Sequence, residues 1–315
     1  MLIPRLVLGC GHLTGGASTA ESRRLLDHAR ASGIRHFDTA PSYGIGTAED
    51  VIGQVLGDDR AVAITAKIGS LRPGAPLLKT VARRALRLVR GGPRPAPPYR
   101  PTLPGESHAA DGRFDSAFMA ESFDITAKKL RRAPIEHVLL HESHAAPPAP
   151  HVVAFLDRLL AEGRASHIGF ANSAVYDPAL RAACPAHWTV QAAIDPAMLV
   201  TPVSLPEPPT ILHTLVKTDG WMRADDPLYA AAAEQTLDAF ATIAPRATLT
   251  VLLPYYLVAR NVPAAKLIYT SSVLERLDAV LTAAREIDRL GAAEDIIGTF
   301  AGAYRSAEIG NAGTL

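Results

Sequence analysis

Four residues in this chain could together move a proton onto a reducible oxygen: Asp38, Tyr43, Lys67 and His141. A phenol titrates near 10 and is by itself a poor acid at neutral pH. A neighbouring ammonium favours the phenolate and so makes the phenol a better donor. A buried aspartate would hold that lysine charged and in place. A neutral histidine can donate a hydrogen bond to the same oxygen and orient a carbonyl. Such a set polarises a C=O and delivers a proton as negative charge develops on the oxygen. It carries no hydride, so a cofactor must supply one.

Singly, each of the four has an ordinary reading. A strand-end aspartate usually caps a turn, a lone lysine is usually solvated, and a lone histidine is often a structural group. Their placement makes them a set, and that placement follows from the elements around them. Short apolar runs alternate with helix-period segments. The runs cover 6–9, 34–37, 62–66, 137–140, 166–170, 189–193, 211–216 and 267–269. Several are apolar without alternation, as strands covered on both faces are. Ser18-Thr19-Ala20-Glu21 reads as a capping box, with Leu25, Leu26 and Ala29 as the inner stripe and Gly33 as the stop. Thr47 with Asp50 reads as a second N-terminal cap. Pro150 opens a further helix that stops near Gly163. Strand–helix alternation repeated eight times predicts a single (β/α)8 TIM barrel over residues 1–315, rather than an open doubly wound sheet. In such a barrel the chemistry gathers at the C-terminal ends of the strands. Asp38, Lys67, His141 and Asn172 close strands two to five, Tyr43 lies in the loop after strand two, and Gln191 sits in strand six.

Composition narrows the partners. The chain has 315 residues, 48% hydrophobic and 20% charged, with a formal net charge of +1. Those values suit a globular protein. The densest basic cluster, Arg83, Arg84, Arg87 and Arg90, has helical spacing and reads as a solvated face, not a nucleic-acid surface. No apolar run approaches the ~20 residues of a membrane span. The first eleven residues read as a strand, not a signal peptide. Two cysteines, Cys10 and Cys184, argue against a disulfide framework and suit the cytoplasm. Two connections, near 90–118 and 202–228, are expected over the barrel mouth. Tyr99, His144 and Trp221 are candidate pocket residues there, and Arg94, Arg100 and Arg113 would favour an anionic or polyhydroxylated substrate.

The run from Gly33 to Gly53, GIRHFDTAPSYGIGTAEDVIG, closely resembles the signature of the aldo-keto reductase family. Ile64-Thr-Ala-Lys67-Ile-Gly69 is similar to that family's lysine strand. Ile135 to Glu142 is similar to its histidine strand, and Ser122 to Leu130 to the helix ahead of it. The resemblance implies a catalytic tetrad of Asp38, Tyr43, Lys67 and His141, and hydride transfer between a carbonyl and an alcohol. It implies NADPH, bound across the barrel mouth without a Rossmann domain, with NADH as the alternative. No G-x-G-x-x-G opens a helix here, which agrees. By the same resemblance Asn172 and Gln191 hold the nicotinamide carboxamide, and Ser271, Ser272 and Arg276 hold the adenosine phosphate at a helix start.

The chain also departs from the family. Ala171 replaces a serine, Tyr269 stands for a glycine, and Arg276 falls one residue late. His213 or Thr214 takes the place of a tyrosine that stacks under the nicotinamide. These departures keep open a second reading, a catalytically altered cofactor-binding or regulatory subunit. Two further readings fare worse. A Schiff-base lyase needs a neutral Lys67. A metal hydrolase built on His141, Glu142 and His144 has its ligands in one short turn and none elsewhere, so no metal is expected.

Overall fold

The computed structural model describes residues 1–14, 18–72, 114–141, 148–171, 178–203 and 210–312. Eight parallel strands close into a barrel in chain order. They are β1 (Leu6–Gly9), β2 (His36–Asp38), β3 (Ala63–Ile68), β4 (Ile135–His141), β5 (Ala165–Ala171), β6 (Thr189–Ala193), β7 (Thr210–His213) and β8 (Lys266–Tyr269). Among the described helices, α1 (Thr19–Ala31), α2 (Ala48–Leu56), α3 (Ser116–Leu130), α4 (Pro150–Ala161) and α5 (Pro178–Ala183) follow the early strands. Three helices link β7 to β8: α6 (Leu215–Asp225), α7 (Pro227–Ala239) and α8 (Arg246–Asn261). Two more, α9 (Leu274–Leu290) and α10 (Ala293–Ala312), follow β8. No described helix is long and apolar enough to cross a membrane.

Most of the apolar core lies between the strands and the helices, with Phe37, Phe123, Trp188 and Tyr229 among its largest buried side chains. Inside the barrel a smaller apolar cluster joins Val7, Ile211 and Ile268. The inner face can be read from the register. Asp38 pairs with Thr65, Thr65 with His137, His137 with His167, and Gln191 with Ala171. Alternation then turns Asp38, Lys67, His141 and Gln191 inward at one end.

Helix punctuation behaves largely as the sequence predicts. Ser18 accepts from the Glu21 N–H at 3.1 Å in a complete capping box. Helix α4 opens at Pro150, and Gly163 beyond it has φ 65°. Two expectations change. Thr47 does not cap α2; its hydroxyl donates to the Gly44 carbonyl at 2.7 Å. Strand β7 stops at His213, short of Val216, because Thr214 turns into the left-handed region at φ 64°. Leu215, apolar enough to extend the run, is buried in α6 instead. Trp221, expected in an open connection, is also part of α6.

One side chain ties the N-terminus to the far end of the barrel wall. The Arg5 guanidinium donates to the carbonyls of Ala259, Val262 and Ala265 at 2.5–3.0 Å. Two of these, Ala259 and Val262, lie at the C-terminal end of α8, where the last carbonyls lack helical partners. Arg5→Met should lower unfolding free energy by about 2–4 kcal/mol, since charged donors are lost and buried acceptors are left unpaired. Urea unfolding with an unchanged m-value is the check. A loss below half a kcal/mol would show that water replaces the guanidinium at no cost.

Candidate active site

Each of the four polar residues is delivered by a different segment. Asp38 ends β2, Lys67 lies near the end of β3, and His141 ends β4. Tyr43 begins a short 3-10 turn, Tyr43–Gly46, between β2 and α2. That turn is held in an uncommon conformation, with Gly44 at φ 57° and Ile45 at φ 59°. A β-branched residue there is strained and needs its surroundings to hold it. Gly44 is fixed by space as well as by φ, because a Cβ would come within 2.3 Å of the Leu13 carbonyl oxygen. The Gly44 carbonyl accepts from both Thr14 and Thr47. Lys129 of α3 reaches the Gly46 carbonyl at 3.3 Å and pairs with Asp50. Behind the turn, Glu49 is buried, ion-paired to Arg72 and bonded by the Thr126 hydroxyl at 2.8 Å. Local strain is thus offset by a dense polar frame.

The four side chains converge. Lys67 is 1% and Asp38 2% exposed, and the ammonium donates to the Asp38 carboxylate. It also donates to the Thr39 carbonyl at 3.2 Å. The same ammonium lies 5.3 Å from the centre of the Tyr43 ring. Tyr43 and His141 meet edge to face, with ring centres 6.1 Å apart and planes at 86°. His141 Nδ1 lies 3.0 Å from Ser70 Oγ.

Burial sets the protonation states. It pushes the His141 pKa down to about 3, helped by Lys67 and His213, so this imidazole is neutral near pH 7. Burial also raises the pKa of Asp38, while the Lys67 charge and hydrogen bonds from Lys67 and Gln191 oppose that rise. An ion pair this deeply buried is held by its hydrogen bonds as much as by charge. The pair therefore fixes the ammonium beside the phenol.

Four residues add contacts to the site, and two of them, Gln191 and His213, are already named from the sequence. Ser70 engages His141 across 71 positions, with no signal in the sequence around it. Gln191 bonds Asp38 through its amide, while its Oε1 is buried with no partner among the described residues. That orphaned acceptor fits a carboxamide N–H. His213 ends β7 facing inward, and burial and Lys67 hold its pKa near 4. Cys10 closes against Asp38, donating its backbone N–H to the Asp38 carbonyl at 2.9 Å.

The phosphate candidates are placed unevenly. Ser271 is buried, and its hydroxyl accepts from the Val273 N–H at 3.1 Å while lying 2.9 Å from the Val273 carbonyl. It therefore shapes the turn that starts α9. Ser272 and Arg276 are exposed beside it. No side chain caps α9 at Val273, which leaves the helix N-terminus receptive to an anion. Ala171 ends β5 without a hydroxyl. Asn172, Tyr99, His144, Arg94, Arg100 and Arg113 lie outside the described residues, as does the cluster from Arg83 to Arg90.

Fold and site together define an α/β-barrel protein with a phenol, an ammonium and a neutral imidazole gathered at the C-terminal mouth. The profile of the aldo/keto reductase family matches residues 5–198, and the chain belongs to that family. An uncharacterized oxidoreductase of Mycobacterium tuberculosis is 32% identical over 146 residues, 42% of this chain and 45% of that protein. Pyridoxal 4-dehydrogenase of Microbacterium luteolum is 31% identical over 138 residues, 42% of this chain and 36% of that protein. The match thus spans less than half the length of these curated relatives. Solved structures share the fold over nearly the whole chain. The glycerol dehydrogenase of Gluconobacter oxydans superposes with a TM-score of 0.58 at 15% identity, covering 93% of this chain and 91% of that one. An aldo-keto reductase of Klebsiella pneumoniae in complex with NADPH gives 0.56 at 18% identity, covering 94% and 91%.

Proposed function

We propose that this chain is an NAD(P)H-dependent oxidoreductase that interconverts a small carbonyl compound and its alcohol, with Tyr43 as the general acid and base. The observation that carries this reading is the Lys67 ammonium, paired with buried Asp38, 5.3 Å from the Tyr43 ring. Bound NADPH supplies the hydride. The chain's own residues handle the oxygen. His141, neutral near pH 7, donates a hydrogen bond that orients the carbonyl. Tyr43 donates the proton as charge develops on the oxygen, and Lys67 stabilises the phenolate left behind. Asp38 keeps the ammonium in position. In alcohol oxidation the phenolate takes the proton back.

For the cofactor, the orphaned Gln191 Oε1 would accept from the nicotinamide carboxamide, with Asn172 as the second contact. The uncapped start of α9, with Ser272 and Arg276, would receive the adenosine phosphate. Ser271 would act there by shaping the turn. A relative named as an NADPH complex supports this preference over NADH. Two relatives are named dehydrogenases, which keeps the oxidative direction in view.

The test is direct. Protein fluorescence titrated with NADPH and NADH should show saturable binding, tighter for NADPH. Absorbance at the nicotinamide band should then fall when aldehydes are added. Binding without turnover of any aldehyde, ketone or alcohol would favour the altered, regulatory subunit instead. No binding of either nucleotide would end the proposal.

A further inference from the structure

The end of the barrel opposite the mouth holds an unusual group of side chains. His36 on β2, His137 on β4 and His167 on β5 all point inward. Their rings stack face to face. The His36 and His137 centres are 5.1 Å apart at 19°, and those of His137 and His167 are 4.7 Å apart at 18°. His36 Nε2 bonds the Thr65 hydroxyl at 2.7 Å. His137 is 9% exposed, its Nδ1 has no partner, and its ring makes no hydrogen bond among the described residues. Thr189, inward on β6 and 0% exposed, also has an unpartnered hydroxyl. The outermost ring, His167, is exposed.

The charges that face the barrel interior at this end have one sign, while Glu136 on the outer face of β4 is paired with Arg132. Lys266 on β8 faces inward and acts on both His36 and His137. Its ammonium reaches the Pro4 carbonyl at 3.0 Å. Arg5 adds positive charge near Lys266, and Lys67 acts on His36 from above. The remaining inward groups, Thr65, Thr189, Val7 and Ile211, are uncharged. The inward carboxylate of the described strands is Asp38, at the other end and paired with Lys67. The apolar cluster of Val7, Ile211 and Ile268 lies inside the barrel as well.

A metal is a poor fit to these rings. Nitrogen lone pairs lie in the ring planes, and nearly parallel rings with centres 4.7–5.1 Å apart cannot aim them at one ion about 2.1 Å away. No three metal-ligating side chains are grouped for an ion among the described residues. An anion fits better. Imidazole N–H groups, a hydroxyl and an ammonium are all donors to oxygen, and buried donors without partners are costly.

We propose that the base of the barrel binds a small oxyanion, held by the imidazoles of His137 and His167 and the Lys266 ammonium, at a site separate from the carbonyl-reducing mouth. Binding draws protons onto the histidines, so it tightens as pH falls through the ordinary histidine range. The site does not depend on the activity proposed above.

Inorganic sulfate is the probe, because it stays a dianion across this range. Calorimetric titration of the full chain with millimolar sulfate, against chloride at equal ionic strength, should give saturable binding at pH 6. The affinity should be at least ten-fold lower at pH 8. His167→Gln and Lys266→Gln should each weaken binding at pH 6 by ten-fold or more. Arg276→Ala should leave the pH-dependent component unchanged, since sulfate held at the start of α9 belongs to the opposite, cofactor end. Equal effects of chloride, or a pH-dependent component that survives both base substitutions, would overturn the proposal. So would binding that disappears with Arg276→Ala. Histidine-labelled wild-type protein gives a readout that needs no variant. Sulfate should raise the pH at which the His137 ring titrates, and an unmoved His137 resonance would also refute the site.

Discussion

Tyr43→Phe should lower kcat for carbonyl reduction by about 10²–10⁴-fold, the range for loss of a general acid. That is a barrier increase of about 3–5 kcal/mol. The substitution removes one hydroxyl and keeps the ring. The edge-to-face packing on His141 is retained. So is the ring's place beside Gly11, where an added Cβ would lie 3.8 Å from it. Cofactor affinity should therefore stay within about three-fold in the fluorescence titration, since the proposed carboxamide and phosphate contacts lie elsewhere. The comparison variant is Lys67→Met. It should also abolish turnover, but it strands a carboxylate that is 2% exposed, and removing one partner of a buried pair costs about 3–5 kcal/mol of stability. Only Tyr43→Phe separates chemistry from folding. A Tyr43→Phe enzyme within two-fold of wild-type kcat across a range of aldehydes would remove Tyr43 from the mechanism.

Much of this architecture was legible because two periodicities coincide with punctuation. The runs at 6–9 and 189–193 match β1 and β6 to the residue. The run at 211–216 overshoots because Leu215 and Val216 are as apolar as a strand requires. Only the backbone turn at Thr214 ends it, and threonine is an unusual residue for φ 64°. Asp38, Lys67 and His141 were legible from strand ends, and Tyr43 from its place in the loop after strand two. Their supports were less so. Ser70, Glu49 and Arg72 act through contacts across 23 to 77 positions in sequence, and no local pattern encodes such pairings. The histidine column was half-visible. His137 and His141 share a period-two face with Leu139, so one inward histidine implies the other. The stacking partners on β2 and β5 depend on register, which single strands do not reveal.

The buried histidines should make this barrel acid-labile. Four of them have folded-state pKa values below the ordinary histidine value of about 6.5, chiefly through burial. His36 is pushed well down, His137 and His141 to about 3, and His213 to about 4. The unfolded chain would protonate each near 6.5, whereas the folded chain resists. Their stabilising contribution is present above that pH and is lost as pH falls toward 4. Each unmatched proton steepens the loss by about 1.4 kcal/mol per pH unit, so four approach roughly 5 kcal/mol per unit well below 6.5. Asp38 acts with the opposite sign, because its pKa is raised, but it is one group and matters only near the carboxylate range. Net stabilities of about 5–15 kcal/mol cannot absorb such a slope for long. Urea midpoints measured at pH 7.5, 6.5 and 5.5 should fall slightly over the first step and steeply over the second. His137→Phe tests the cause. It keeps a ring between His36 and His167, removes the unpartnered Nδ1, and deletes one titrating group. Its stability should therefore decline with pH by about 1.4 kcal/mol per unit less than wild type. A wild-type midpoint that is flat from pH 7.5 to 5.5 would mean that these imidazoles already carry protons in the folded chain.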